Sequence, residues 1–313
     1  MKYIIISFIT LCLMFAISAH SEILVDRYKD NPDIGFFGRM SKVLFDANAT
    51  DTTIATDMII RTVFGQMNMK SEIKVYDNRD HLIKDLTENR LDAVFINTID
   101  FIELEHLVNP DYLYTLVYGQ HTEQKIYLLT RKKDGIDNIS QLRDKTISIP
   151  KGHFLGKYYL DILLMNKELP TQDRFFSKTL ETVDTNTAIV DLFIGKSDSA
   201  LVSDIAFELA GELNTQIIRD LKVINASNQM VPQVITINKN VPAHIMKKVD
   251  AFLVKSHENT RIRHLLSLFR AKRFVKLEED NITETRKLLD EYNKLIILTN
   301  KQSHEKTKQI ANF

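Results

Sequence analysis

Past its N-terminal stretch the chain alternates two apolar patterns. Short runs rich in β-branched residues carry the period of strands, and longer segments with apolar residues three and four apart carry the period of amphipathic helices. Asp33 to Gly38 (DIGFFG) predicts a strand ended by glycine. Thr50 to Asn68 predicts a helix, a capping residue preceding the apolar positions Ile54, Met58, Ile59, Val63 and Phe64. SEIKVY follows as a strand, RDHLIKDLTENR as a helix, DAVFI (Asp92 to Ile96) as a strand, and TIDFIELEH as a helix that Thr98 can cap. YLYTLVYG and QKIYLLTR are two strands in succession, the natural point for the chain to change domains.

The second half repeats the theme. DNISQLRDK predicts a short helix, TISIP a strand, GHFLGKYYLDILLMNK and TNTAIVDLFIGK helices, and SDSALVSD a strand that delivers the helix IAFELAGEL. LKVINAS and VPQVITIN are strands returning toward the first domain, and VPAHIMKKVDAFLVKSH, TRIRHLLSLFR and ITETRKLLDEYNKLIIL are amphipathic helices. The polar tail KQSHEKTKQIANF predicts disorder.

Alternating strands and helices predict an α/β fold of doubly wound, parallel sheets. Two such units joined by a two-segment hinge make two lobes with a ligand cleft between them. The expected division is residues 22–118 with 226–275 for the first lobe, 119–225 for the second, and 276–313 for a C-terminal helix and its tail. Ligands of open α/β sheets gather at the carboxyl ends of strands.

Composition sharpens this. At 313 residues the chain exceeds one typical domain, and 44% hydrophobic with 26% charged residues is ordinary for a globular protein. With a net charge of zero, nothing in the composition points to nucleic acid or an anionic membrane surface as the main partner, and any charged-ligand site is local. Lys2 precedes YIIISFITLCLMFAI and then SAHS, the basic, apolar and small-residue sections of a secretory signal peptide over residues 1–21, with cleavage after Ala19 or Ser21. An uncleaved anchor is the alternative, although the run is short for ~30 Å of hydrocarbon. The single cysteine, Cys12, lies inside that run, and the bulky Leu11 before it argues against a lipoprotein site. A mature chain without cysteine excludes disulfides, thiol nucleophiles and thiolate metal sites. Export without a lipid anchor points to a Gram-negative periplasm.

The stretch TISIPKGHFLGKYYLDILL, Thr146 to Leu164, carries the candidate chemistry. It sets Lys151, Gly152, His153 and Phe154 between a strand and a helix, whose N-terminus offers unpaired N–H groups and about half a positive charge. Gly152 would let a ligand approach the backbone. The alternative is that Gly152 only makes the turn and Gly156 only lets the helix pack on its sheet. Asp204 ends an apolar strand ahead of an apolar helix, where it, or Ser203, can cap.

DIGFF, RLDAVFIN, KTISIPKG and GKSDSALVSDIAFE, in that order, resemble the phosphonate/phosphate-type solute-binding proteins, periplasmic components of ABC transporters with the type II binding-protein fold. The resemblance runs from about Asp33 to Phe274 and implies two α/β lobes that close on a small oxyanion-bearing solute. Carried over by position, it implies ligand loops at Phe37-Gly38-Arg39, at Asn97-Thr98, at Tyr118 near the crossover, at Lys151 to Phe154, and at Ser203-Asp204. In such proteins an acidic residue at the position of Asp204 can meet an amine on the ligand. Arg39 suits a bidentate pair with a carboxylate or phosphate, and a solvated surface arginine is the alternative. Phe36, Phe37, Tyr118 and Phe154 can line an apolar cleft. The chain departs from the family in one respect: phosphonate binders usually carry serine and threonine where this chain has KGHFLG.

The leading expectation is a monomeric periplasmic binding protein that takes a small polar or anionic solute, performs no chemistry and uses no cofactor, and is read by a membrane permease. A sensory role through a membrane kinase or cyclase is the alternative, and an enzyme on the same bilobed fold is the third. FIGKSDS contains GKS, but Val190 stands where a phosphate-binding P-loop needs glycine. The nine histidines lack zinc spacing, and no GxSxG occurs.

Overall fold

The structure is a computed structural model that describes residues 34–41, 49–268 and 271–311. The expected signal segment, residues 1–21 with Cys12, therefore lies outside the described residues. Among the described residues eleven strands fall into two sheets, six in one and five in the other.

The first sheet is built from β1 (Ile34–Met40), β2 (Lys70–Tyr76), β3 (Ala93–Asn97) and β4 (Val108–Tyr118). Helices α1 (Ala49–Gln66), α2 (Arg79–Thr87) and α3 (Thr98–Leu104) connect them. The chain then crosses into the second sheet through β5 (Ile126–Arg131), followed by β6 (Thr146–Pro150), α4 (Phe154–Met165), the short α5 (Gln172–Phe175) and β7 (Lys178–Thr182). Next come α6 (Thr185–Phe193), β8 (Ser199–Ser203), α7 (Asp204–Leu213), α8 (Thr215–Asp220) and β9 (Leu221–Ala226). The chain returns to the first sheet with β10 (Gln233–Asn238), α9 (Ala243–Lys255), α10 (Thr260–Ser267) and β11 (Ala271–Lys276), and ends in α11 (Thr283–Ala311).

The sheet orders are β11-β4-β10-β3-β1-β2 and β7-β6-β8-β5-β9. Both sheets are mixed rather than parallel. β1 runs parallel to β2 and β3, and β6 runs parallel to β7 and β8. β10 is antiparallel to β3 and β4, and β5 is antiparallel to β8 and β9. β11 is antiparallel to β4, so in the first sheet both strands laid down after the return crossing, β10 and β11, run against the rest, and in the second sheet the first strand after the crossing, β5, does.

The helix α1 buries Ala55, Ile59, Ile60, Val63 and Phe64, while Ile54 and Met58 face outward. The tail also differs from expectation, because α11 runs on to Ala311. No proline or glycine interrupts Thr283 to Ala311, and lysine, glutamine and glutamate hold a helix well. That helix bridges the lobes. Leu288 and Leu289 are buried in the core of the second lobe, together with Ile99 from α3 of the first.

Candidate functional site

In the first sheet the chain winds outward from β1 to β2 on one side and to β3 on the other; in the second, β6 has β7 and β8 in the same roles. Such switch points open crevices at the carboxyl ends of the strands. The loop between β1 and α1 falls partly outside the described residues.

At the end of β6 the backbone turns on Gly152, whose φ of 81° belongs to the left-handed region that side chains disfavour. Lys151 beside it is exposed, its backbone N–H held by the carbonyl of Thr182 at 2.9 Å. His153 turns inward. It is 1% exposed and its Nδ1 accepts the N–H of Gly156 at 3.2 Å, so the ring is the N-cap of α4. Burial, helped by the charge of Lys157, pushes the His153 imidazole down to about 4. A ring neutral at pH 7 offers a ligand no charge. Phe154 stays 38% exposed at the start of the helix.

On β8, Ser203 is fully buried and its Oγ accepts the N–H of Ala206 at 3.3 Å as the cap of α7. Asp204 is half-buried, and its Oδ1 accepts the N–H of Ile205 at 2.9 Å. Burial raises its carboxyl above the usual range, against the pull of the backbone N–H groups and Lys125.

In the first lobe, Asn97 caps α3 by accepting the N–H of Asp100 at 2.8 Å and donates its amide to the Asp100 carboxylate at 2.6 Å. Thr98 is fully buried and donates its hydroxyl to the carbonyl of Val231 at 2.6 Å, pinning α3 to the returning segment. Tyr118 lies at the end of β4, where its hydroxyl accepts the amide of Gln233 across the two crossing segments.

Phe37, Gly38 and Arg39 belong to β1 itself rather than to a loop after it, because the strand continues to Met40. Phe37 is core. Arg39 is 1% exposed, and its Nε and Nη2 meet no hydrogen-bonding partner. Burial lowers its pKa, and the charge of Asp57 acts in the other direction. The structure thus brings Lys151, Gly152, Phe154 and Asp204 to the carboxyl edge of the second sheet and Tyr118 to the crossing, and commits the side chains of Asn97, Thr98, His153 and Ser203 to caps and tethers.

Sequence reasoning missed Asp100, which pairs with Arg79 at 2.6 Å and is pushed up by burial despite that pairing. Asn97 followed three residues later by Asp100 is the signature of a helix start and could have found it. The GKS stretch is a turn: Lys196 pairs with Asp191 at 3.0 Å and the carbonyl of Ser197 accepts from Arg131. Among the described residues no group of three His, Cys, Asp or Glu side chains is placed to hold a metal.

Residues 46–282 match the family of ABC transporter, phosphonate, periplasmic substrate-binding proteins. The chain belongs to this family, whose members bind small molecules in the periplasm for an ABC permease. Its fold is the two-lobed type II binding-protein fold. It is similar to PhnD1 from Prochlorococcus marinus in complex with methylphosphonate, at 14% identity and a TM-score of 0.63 over 84% of this chain and 100% of that one. It is similar also to a binding protein component of an ABC phosphonate transporter from Pseudomonas aeruginosa, at 13% identity and a TM-score of 0.62 over 89% and 98% of the two chains. A third likeness is to a Xanthomonas citri protein solved bound to ATP, at 13% identity and a TM-score of 0.63 over 86% and 98%. Comparison with curated proteins returns no match. Among the described residues no helix is long and apolar enough to cross a membrane.

Proposed function

We propose that the chain captures a small solute bearing an oxyanion, of the phosphonate type, in the cleft between its lobes, and presents the closed form to a permease. The observation that carries this reading is the junction of β6 with α4. There the exposed Lys151 stands beside Gly152 in a left-handed turn, at the carboxyl end of a strand flanked by β7 and β8. An oxyanion there meets a lysine charge and the positive end of a three-turn helix. Asp204, at the end of the neighbouring β8, is the acceptor for an amine or hydroxyl on the same solute.

The rest of the reading follows. No bond is made or broken; binding free energy shifts the lobes toward closure. Residues 1–21 direct export and are removed, and the chain works as a monomer.

A thermal-shift panel tests this with methylphosphonate, 2-aminoethylphosphonate, phosphate and sulfonates. A solute at ~1,000 times its dissociation constant stabilises by about 4 kcal/mol, a rise on the order of 8–16 °C for a chain near this size. Lys151→Ala should remove most of the shift for every oxyanion, and Asp204→Asn only for those with an amine. A panel that moves nothing, or a shift indifferent to Lys151, overturns the reading.

A further inference from the structure

The oxyanion end of the cleft is poor in hydrogen-bond donors. KGHFLG, residues 151–156, carries no serine or threonine, and the His153 ring is neutral at pH 7 and turned inward. The N–H groups of Lys151, His153 and Phe154 go to the carbonyls of Thr182, Pro150 and Gly152 at 2.9, 3.2 and 2.8 Å, and that of Gly156 goes to the His153 ring. On the neighbouring β7, the Thr182 hydroxyl donates to the carbonyl of Asp184 at 2.8 Å. The Asp184 carboxylate in turn caps α6 by accepting the N–H of Thr187 at 2.7 Å. These bonds leave the exposed ammonium of Lys151 as the main donor at the two strand ends.

Apolar side chains flank that ammonium instead. Phe154 is 38% exposed at the first position of α4, although phenylalanine is among the residues most often buried. The next turn fixes which way it faces. Tyr158, four residues further along α4 and so on the same face, stacks on Tyr292 of α11 with ring centroids 4.4 Å apart. It packs on the core that contains Ile99 of α3. Burial raises the Tyr158 hydroxyl, and the charges of Glu103 and Asp100 on α3 raise it further. That face of α4 therefore looks toward the first lobe, and Phe154, one turn nearer the strand ends, opens on the cleft. Val183 is 72% exposed in the turn after β7, where the bond from Lys151 to Thr182 sets it beside the lysine.

Building on the oxyanion reading of the cleft, we propose that its solute is an oxyanion with an apolar body the size of a phenyl ring, an aryl or bulky alkyl phosphonate, and that Phe154 and Val183 select it. A small bare oxyanion must exchange its hydration for donors, and few are on offer here. Lys151 and the positive end of α4 supply attraction, but they do not distinguish one oxyanion from another. A substituted oxyanion gains in addition from the apolar area that it and the two side chains withdraw from water, and a ring gains from edge or face contact with Phe154. Specificity then lies in the carbon body of the solute rather than in the count of its oxygens.

The test is a calorimetric titration of the purified chain with phosphate, methylphosphonate, tert-butylphosphonate, phenylphosphonate and benzyl alcohol. Phenylphosphonate should bind at least tenfold more tightly than methylphosphonate, tert-butylphosphonate should fall between them, and benzyl alcohol should not bind. Phe154→Ala should weaken phenylphosphonate at least tenfold and Val183→Ser severalfold, while both leave methylphosphonate within twofold of the parent. Lys151→Ala should weaken every oxyanion. Both apolar side chains are exposed, so urea midpoints close to the parent's should show that the two variants fold. Methylphosphonate as tight as phenylphosphonate overturns the proposal and leaves oxyanion capture standing. So does a Phe154→Ala variant that weakens all the oxyanions equally, which would place the ring against the first lobe on closure. If no oxyanion binds at all, the capture reading falls, and this proposal with it.

Discussion

The Nδ1 of His153 accepts the N–H of Gly156 at 3.2 Å, and a Cβ placed on Gly156 would stand 2.7 Å from that same nitrogen. It would also stand 2.8 Å from Cδ2 of Leu201 on β8. The close fit of α4 on its sheet and the capping of its first turn are therefore one feature.

Gly156→Ala should destabilise the protein in spite of alanine's better helix propensity, worth about 1 kcal/mol. Pushing the ring and Leu201 apart in a packed core costs roughly 1–3 kcal/mol. A lower urea midpoint with an unchanged slope is the expected result. A midpoint at or above that of the parent would mean that the helix shifts freely on its sheet.

The buried ring also sets a pH dependence. The folded-state value of His153 lies at about 4, below the ordinary 6.5. Between these values the unfolded chain binds a proton that the folded chain does not, so this group's contribution is intact above pH 6.5 and is lost as pH falls toward 4. The full difference corresponds to about 3 kcal/mol. His153→Asn keeps a good N-cap and removes the titration. Urea midpoints at pH 7 and pH 5 should therefore differ less in the variant than in the parent; equal differences would place the proton elsewhere.

How much of this was legible in the sequence depended on burial. Inner strands such as β3 (AVFIN) and β8 (SALVS) are buried along their whole length and stand out as apolar runs. The terminal strands β7 (KTLET) and β11 (AKRFVK) went unread, since Lys178, Glu181, Lys272 and Arg273 face solvent, as edge strands require. The β6–α4 junction was legible because glycine marks a turn. That His153 would turn inward was not, because a cap and a ligand contact ask for the same residue types in the same place. Arg39 was expected on a loop, since glycine usually ends a strand; here Gly38 continues it, with Leu91 and Tyr76 packed against the position its side chain would fill.

Leu289 in α11 is 6% exposed within the second lobe's core. Leu289→Ala should cost about 2–4 kcal/mol, as cavity-forming truncations do. Calorimetry would check whether the loss falls in a single transition. A cost under ~0.5 kcal/mol would mean that the helix is not seated on the core.

The same helix holds both lobes through opposite charges and amides. Arg286 makes a two-pronged pair with Glu105, just after α3 in the first lobe, while Glu291 accepts the amide of Asn166, at the end of α4 in the second, at 2.8 Å. Both sides of the Arg286–Glu105 pair are about one-third exposed, so it adds little to stability, within roughly 1 kcal/mol. Its geometric effect is larger: Leu288 and Leu289 keep α11 on the second lobe, and Arg286 is then a tie to the first. Arg286→Met should leave the thermal midpoint within a few degrees of the parent's. It should increase the ligand-free radius of gyration measured by small-angle scattering, because the lobes lose that tie. Ligand that closes the cleft should restore the parent's value. An unchanged radius in the ligand-free variant would assign the lobe spacing to the crossing segments at Tyr118 and Gln233 instead.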